Sequence, residues 1–316
     1  MTMKKSVLYL LAAVATMTLA ACSNDDNANV PDGATPIQLQ ASLLSINTRA
    51  AQNIQNEQFE KDEELNIYIH EIVPAGSKNG ASYSTLPYQY KVTDPETGAL
   101  KPQALSSPYY PINKNHVSIT SLYPNTVQNV NGQWFKVAYN QYTKANYKAS
   151  DLMVSTNLKD QEFSSSPVQL QYQHKLCKIN VNLEMYHEEG QDVDNDPLKN
   201  SEVVLKNVKC EIFYSQNTDA LSDARDVHDV VVTSDGYYPS SAIIVPQDIQ
   251  ATNFIRIKVG KDILNYTLPT PVTFESGKAY TFNIKVKQDA LVVQAFEMEN
   301  WNDSPAAVNK TLQFEN

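Results

Sequence analysis

Apolar and polar residues alternate along most of the chain, the pattern of strands with one buried face. The first run places Ile37, Leu39, Ala41 and Leu43 on one face. Similar runs recur to the end of the chain, at residues 65–69, 117–119, 168–172, 177–183, 203–214, 227–233, 237–245, 254–259, 263–268, 280–286 and 291–298. Many short strands separated by Gly- and Pro-containing turns predict an all-β protein made of β-sandwiches.

The helical signal is weak, and only the polar stretch at residues 52–64 could hold a turn or two of helix. A Ser-Ser-Ser-Pro run near residues 161–167 separates two groups of predicted strands. We therefore expect two β-sandwich domains in tandem, over residues 50–163 and 164–304, followed by a tail at residues 305–316.

The N-terminus has the layout of a secretory signal. Lys4 and Lys5 precede an apolar run that ends in Leu19-Ala-Ala-Cys22. A membrane-spanning helix needs about 20 apolar residues, and this run is shorter. We expect a signal peptide at residues 1–21, a lipid on Cys22, and a propeptide at residues 22–49. An ordinary secretory signal with an incidental cysteine is the alternative.

The net charge argues against one class of partner, and the cysteine content limits the possible disulfides. The formal net charge is −10, and no cluster of basic residues is present, so nucleic acid is not an expected partner. Beyond Cys22 the chain has two cysteines, Cys177 and Cys210. Both are in phase with apolar neighbours, which favours buried free thiols, although an exported protein could also join them in a disulfide.

No group of residues predicts catalysis. The five histidines show no metal-ligand spacing, and His174, within a strand pattern, is expected to be structural and partly buried. The acidic stretch 192–196 begins like a calcium loop, but Pro197 replaces the glycine and Val203 the final glutamate. We expect no enzyme activity, no cofactor and no metal site.

A β-sandwich fold does not by itself explain two features of the sequence, the isolated Arg49 and the alternating C-terminal tail. Arg49 is one of three arginines beside 22 lysines, and it stands in a small, polar stretch where an Arg-specific protease could cut between Arg49 and Ala50; a surface arginine without function is the alternative. At the C-terminus, Val308, Lys310, Leu312 and Phe314 alternate with polar residues. Such a strand could pair with its own sheet or be donated to another subunit.

Several segments, in this order, resemble the fimbrillin family, the lipoprotein pilins of type V pili. They are Leu19 to Cys22, Ser121-Leu-Tyr-Pro124, Ser150-Asp-Leu-Met-Val, residues 167–183 around His174, and residues 274–286 leading to Trp301. The resemblance runs from residue 19 to about residue 301.

The resemblance implies two transthyretin-like β-sandwich domains and a precursor held in the outer membrane by its lipid. An Arg-specific protease would cut after Arg49 and release residues 37–43, and residues 306–316 would be donated to a neighbour. It thus implies an adhesive surface fimbrium, with this chain as a stalk subunit and other fimbrial subunits, in a homopolymer or as accessory pilins, as partners. The alternatives are a fimbrial tip subunit or a monomeric lipoprotein that binds glycans or acts as an adhesin through Tyr-rich loops.

Overall fold

The computed structural model describes residues 34–43, 59–73, 86–103, 108–127, 132–188, 198–232, 240–287, 291–301 and 310–312. The strands up to residue 185 are β1 (Leu39–Leu43), β2 (Glu64–Glu71), β3 (Tyr88–Asp94), β4 (Ala99–Pro102), β5 (Val117–Tyr123), β6 (Gln133–Lys136), β7 (Met153–Gln161), β8 (Val168–His174) and β9 (Cys177–Met185). The strands that follow are β10 (Glu202–Ser215), β11 (Ala220–Val231), β12 (Ser240–Ile244), β13 (Gln247–Ile249), β14 (Asn253–Val259), β15 (Asp262–Thr267), β16 (Val272–Phe274), β17 (Lys278–Val286), β18 (Leu291–Asn300) and β19 (Lys310–Leu312). One helix, α1 (Lys144–Ala149), is described, so the predicted all-β class is confirmed.

The first assembly is a closed barrel with the strand order β1-β4-β3-β2-β5-β7-β8. Its neighbouring strands are antiparallel except for β1 and β8, which are parallel. Leu65, Ile67 and Ile119 are buried in its core, as their alternation predicts.

The second assembly is a sandwich of two sheets over one apolar core. One sheet has the order β11-β10-β14-β15, and β6 also pairs with β10. The other has the order β12-β9-β17-β18-β19, and a separate two-stranded sheet joins β13 to β16. Alternate residues of β9 and β17, such as Ile179 and Phe282, fill the core between the sheets.

Some barrel strands also contribute side chains to the sandwich core, and strands that are close in sequence pair in different assemblies. Tyr68 and Leu122 lie on barrel strands, yet they belong to the sandwich core, because β2 and β5 are buried on both faces at these points. Strand β6 pairs with a sandwich strand, whereas β8 pairs within the barrel. The division into domains at residues 50–163 and 164–304 stays a prediction.

The helix differs from the expectation. Residues 52–58 lie outside the described part, and residues 59–63 form a turn before β2. The helix that is present, α1, begins after Thr143, whose hydroxyl accepts a hydrogen bond from the Asn146 N–H at 3.3 Å, a standard N-cap. The helix has 6 residues, which is too short to show a helical period in the sequence. Its buried residue is Tyr147.

The two cysteines follow the interpretation as buried thiols. Cys177 on β9 and Cys210 on β10 are both free and buried. Burial raises the pKa of the Cys177 thiol well above its ordinary value, and it raises that of Cys210 to about 12. Both thiols are therefore expected to be unreactive in the folded protein.

Candidate functional site: the strand that closes the barrel

Strand β1 and the residues just before it form one part of the barrel wall. The inward-facing side chains are almost fully buried: Ile37 is 3% exposed, Leu39 3%, Ala41 5% and Leu43 8%. They belong to the same core as the barrel strands β2 and β5. Removing this segment would expose apolar core to water, which is unfavourable.

One side of β1 is held by β8. Five consecutive residue pairs connect them, from Leu39 with Val168 to Leu43 with Tyr172. The Val168 N–H also donates to the Gln38 carbonyl oxygen at 3.0 Å. This is the longer of the two pairings of β1.

The other side of β1 is held at separate points. The Ile37 N–H donates to the Pro108 oxygen at 2.8 Å, and the Tyr110 N–H donates to the Thr35 oxygen at 3.0 Å. Further along, the Ala41 N–H donates to the Gly98 oxygen at 2.8 Å. The pairing with β4 consists of one residue pair, Gln40 with Ala99.

After β1 the chain re-enters the described structure at Phe59. The Phe59 ring is buried and packs against Tyr123 and Tyr172, with ring centroids 5.5 Å and 4.9 Å away. Phe59 thus has aromatic contacts with β5 and β8, in the same core cluster that contains the side chains of β1.

Ion pairs reinforce this anchor. Lys144 and Lys148 of helix α1 both pair with Glu60, the latter at 3.0 Å, and Lys148 also pairs with Glu63. Partial burial acts to raise the pKa of Glu60, but the two ammonium groups outweigh it and lower this pKa below its ordinary value.

The predicted processing residues fall outside the described part of the chain. Arg49 and Ala50 lie in residues 44–58, between the end of β1 and Phe59, and Cys22 lies in residues 1–33. Cleavage after Arg49 and lipidation of Cys22 therefore stay predictions. None of the helices in the described ranges is long and apolar enough to cross a membrane.

The predicted donor tail is described over Lys310–Leu312, which is β19; Val308 and Phe314 lie outside the described residues. Strand β19 pairs antiparallel with β18, where Leu312 is opposite Phe296 and Lys310 is opposite Met298. The tail thus pairs at the edge of its own sandwich sheet, one of the two arrangements that the sequence left open.

A second cluster forms where the barrel chain passes into the sandwich. His174 is fully buried, not partly, and its ring lies flat on Trp301 with 3.7 Å between centroids. Its Nδ1 atom is 3.0 Å from an Asp151 carboxylate oxygen. The Lys178 ammonium, also buried, is 5.7 Å from the Trp301 ring centre.

The sequence pattern does not predict this cluster, although its members stand in the segments that carry the family resemblance. Asp151 belongs to Ser150-Asp-Leu-Met-Val, and His174 and Lys178 belong to residues 167–183. Lys178 stands in the polar phase of the alternation from Cys177 to Leu183, so the sequence pattern gave no signal that it is buried.

The described residues give little support for a metal-binding or glycan-binding site. Within the described ranges no group of three His, Cys, Asp or Glu residues could hold a metal ion, and the acidic stretch 192–196 lies outside them. In the Tyr-rich segments at residues 83–90 and 109–110, which could bind glycans by ring stacking, Tyr90 and Tyr110 are buried, and Tyr88 and Tyr109 are half-buried. Buried rings do not offer a face to a glycan.

The fold and the site define an all-β chain whose barrel is completed by its own first strand. The family described as fimbrillin-like matches residues 48–301, and the chain belongs to that family. It is therefore a subunit of a cell-surface fimbrium, and it assembles with other fimbrial subunits.

Solved structures share the fold at low sequence identity. A candidate cell adhesion protein from Bacteroides uniformis has 16% identity and a TM-score of 0.64, covering 86% of this chain and 100% of that chain. Another from Bacteroides ovatus has 17% identity and a TM-score of 0.63, covering 85% and 98%. No curated protein sequence matches the chain.

Proposed function

We propose that this chain is a fimbrial stalk subunit that polymerises by strand exchange and supports adhesion. It is exported with a lipid on Cys22 and cut between Arg49 and Ala50 by an Arg-specific protease at the outer membrane. Loss of β1 then opens a groove in the barrel, and residues 306–316 of a neighbouring subunit fill it.

One observation carries the proposal: β1 is a buried barrel strand, and the stretch that contains Arg49 separates it in sequence from the next described residue, Phe59. A cut there severs β1 from the rest of the chain but leaves Phe59 anchored on Tyr123 and Tyr172. The vacated groove would have apolar side chains and unpaired main-chain groups, which an added strand would satisfy.

The test uses an unlipidated chain that starts at Ser23. After digestion with an Arg-specific protease, we expect release of residues 23–49 and the appearance of oligomers in size-exclusion chromatography. The R49A variant should keep its N-terminal segment and stay monomeric. A chain that ends at residue 305 should release the segment but form no oligomers. Complete release of β1 from the full chain without oligomers would refute strand exchange.

The pairing of β19 with β18 favours a second candidate, a tip subunit or monomeric binding lipoprotein whose tail stays on its own sheet. In that case the protein purified from the cell surface would begin at acylated Cys22 or would not oligomerise after cleavage. N-terminal sequencing and lipid analysis of the surface protein separate the two candidates.

A further inference from the structure

We propose that Gly98 is a positioning residue that recognises the main chain of whichever strand fills the barrel groove, first β1 and then the donated strand. This inference rests on the proposed strand exchange and adds one point of recognition to it. Recognition at Gly98 would not depend on the side chains of the incoming strand, because the contact is with backbone atoms.

Gly98 lies in the turn between β3 and β4, with a positive φ of 68°. A Cβ atom placed on it would be 2.0 Å from the Ala41 carbonyl oxygen and 3.0 Å from the Ala41 carbonyl carbon. Neither atom belongs to a side chain that could turn away. Glycine is therefore required for β1 to lie this close.

Gly98 also makes a hydrogen bond to the strand that it approaches. Its carbonyl oxygen accepts from the Ala41 N–H at 2.8 Å, so both the N–H and the C=O of one residue of β1 are in contact with this turn. Ala41 itself points into the core, between Leu39 and Leu43. A strand that makes the same two contacts is held in phase, with its alternate side chains inward.

The contact with Gly98 is important because β1 has few other main-chain contacts on the side of the groove that β4 forms. The β1–β4 pairing has one residue pair, against five with β8. A change that pushes the strand away from Gly98 would weaken the side that has the least main-chain pairing.

Gly260 provides a matched control. It also has a positive φ, 59°, in the turn between β14 and β15, but a Cβ atom there would meet nothing within 4 Å. G98A and G260A therefore share the cost of a left-handed alanine, and they differ in the clash with the strand.

The experiment measures release of β1 from the unlipidated chain after the cut at Arg49, with a fluorescent label on residue 23. Release is followed in excess synthetic peptide of residues 306–316, and separately in excess peptide of residues 34–49. We expect release from G98A to be at least about tenfold faster than from G260A, which should match the wild type, because overpacking weakens binding by this order. Equal rates for G98A and G260A would overturn the inference.

A second measurement needs no variant and covers the case in which G98A does not fold. The peptide of residues 34–49 is methylated on the Ala41 nitrogen, which removes the N–H that donates to Gly98. We expect it to rebind the cut wild-type chain about tenfold more weakly than the unmethylated peptide. The same peptide methylated at Asn47, beyond β1, serves as the control, and unchanged binding of the Ala41-methylated peptide would contradict main-chain recognition here.

The two peptides also separate this inference from the proposed function. If the 34–49 peptide exchanges and depends on Gly98 but the 306–316 peptide never enters, donation of the tail is wrong and recognition by Gly98 stands for β1. If the 306–316 peptide exchanges equally into G98A and G260A, strand exchange stands and recognition by Gly98 is wrong.

Discussion

The buried lysine on β9 predicts an unusual dependence of stability on pH. Lys178 is 3% exposed and lies near the Trp301 ring. Burial lowers the pKa of Lys178 to about 8, although the charges of Asp151 and Glu299 partly oppose this shift. In the unfolded chain the same group has a pKa of about 10.4.

The sign follows from counting protons. Between the folded pKa, about 8, and the unfolded pKa, about 10.4, the unfolded chain keeps the proton that the folded chain has lost. The free energy of unfolding therefore rises with pH in this window, because the unfolded state binds more protons. Below about pH 8 the folded protein carries the buried ammonium and its desolvation cost in full. From pH 7 to pH 9 the gain from this one group is about 1.4 kcal/mol.

The assay is urea unfolding of the unlipidated chain at pH 7 and pH 9 under reducing conditions, followed by tryptophan fluorescence. The K178M variant should lack the gain, so its change in unfolding free energy between the two pH values should be about 1.4 kcal/mol less favourable than that of the wild type. Other groups, including the buried cysteines and tyrosines, titrate alike in both proteins and cancel in this difference.

Lys261, exposed in the turn between β14 and β15, provides the control variant K261M, which should behave as the wild type. If K178M and the wild type show the same change between pH 7 and pH 9, the folded pKa of Lys178 is not lowered.

Three further predictions concern packing and thiols. F59A should lower the free energy of unfolding by about 3–5 kcal/mol, whereas I112A, at a residue that is 70% exposed, should change it little; thermal melts compare them. N66A removes an amide that donates to two backbone oxygens, at 2.6 Å and 2.9 Å, and should cost about 1–3 kcal/mol in urea unfolding. Cys177 and Cys210 should resist a thiol reagent when folded and both react after denaturation without reductant; failure to react then would indicate a disulfide.

The sequence pattern predicted which faces are buried but not which strands are neighbours. Alternation identified Ile37 to Leu43 as a strand with one apolar face, and these residues are buried as expected. It did not indicate that this strand pairs in parallel with β8, because pairing partners are set by long-range packing rather than by local period. The same limit applies to β6, which crosses to pair with β10.

The alternation also failed to predict the burial of polar-phase residues in a strand that is buried on both faces. Asn66 and Tyr68 occupy the polar phase of β2, yet both are buried, because this strand lies between the barrel core and the sandwich core. A period of two assumes that one face meets water. Gly98 was missed for a related reason, since its role comes from the approach of a strand that is distant in sequence.

The unequal pairing of β1 bears on how cleavage could trigger assembly. Strand β1 has five residue pairs with β8 and one with β4, and parallel pairs are slightly less stable than antiparallel ones. In the uncut chain, residues 44–58 tether β1 to Phe59, and a short tether gives an effective concentration of roughly millimolar or above. A cut after Arg49 would remove the tether and leave in place the described pairings of β1 with β8 and β4.

In the proposed mechanism, then, the same contacts that hold β1 before cleavage must compete afterwards with a strand that is tethered to a neighbouring subunit. Excess peptide of residues 306–316 should therefore leave β1 in place in the uncut chain and displace it from the cut chain. Displacement from the uncut chain at the same rate would mean that β1 is held too weakly for cleavage to control assembly.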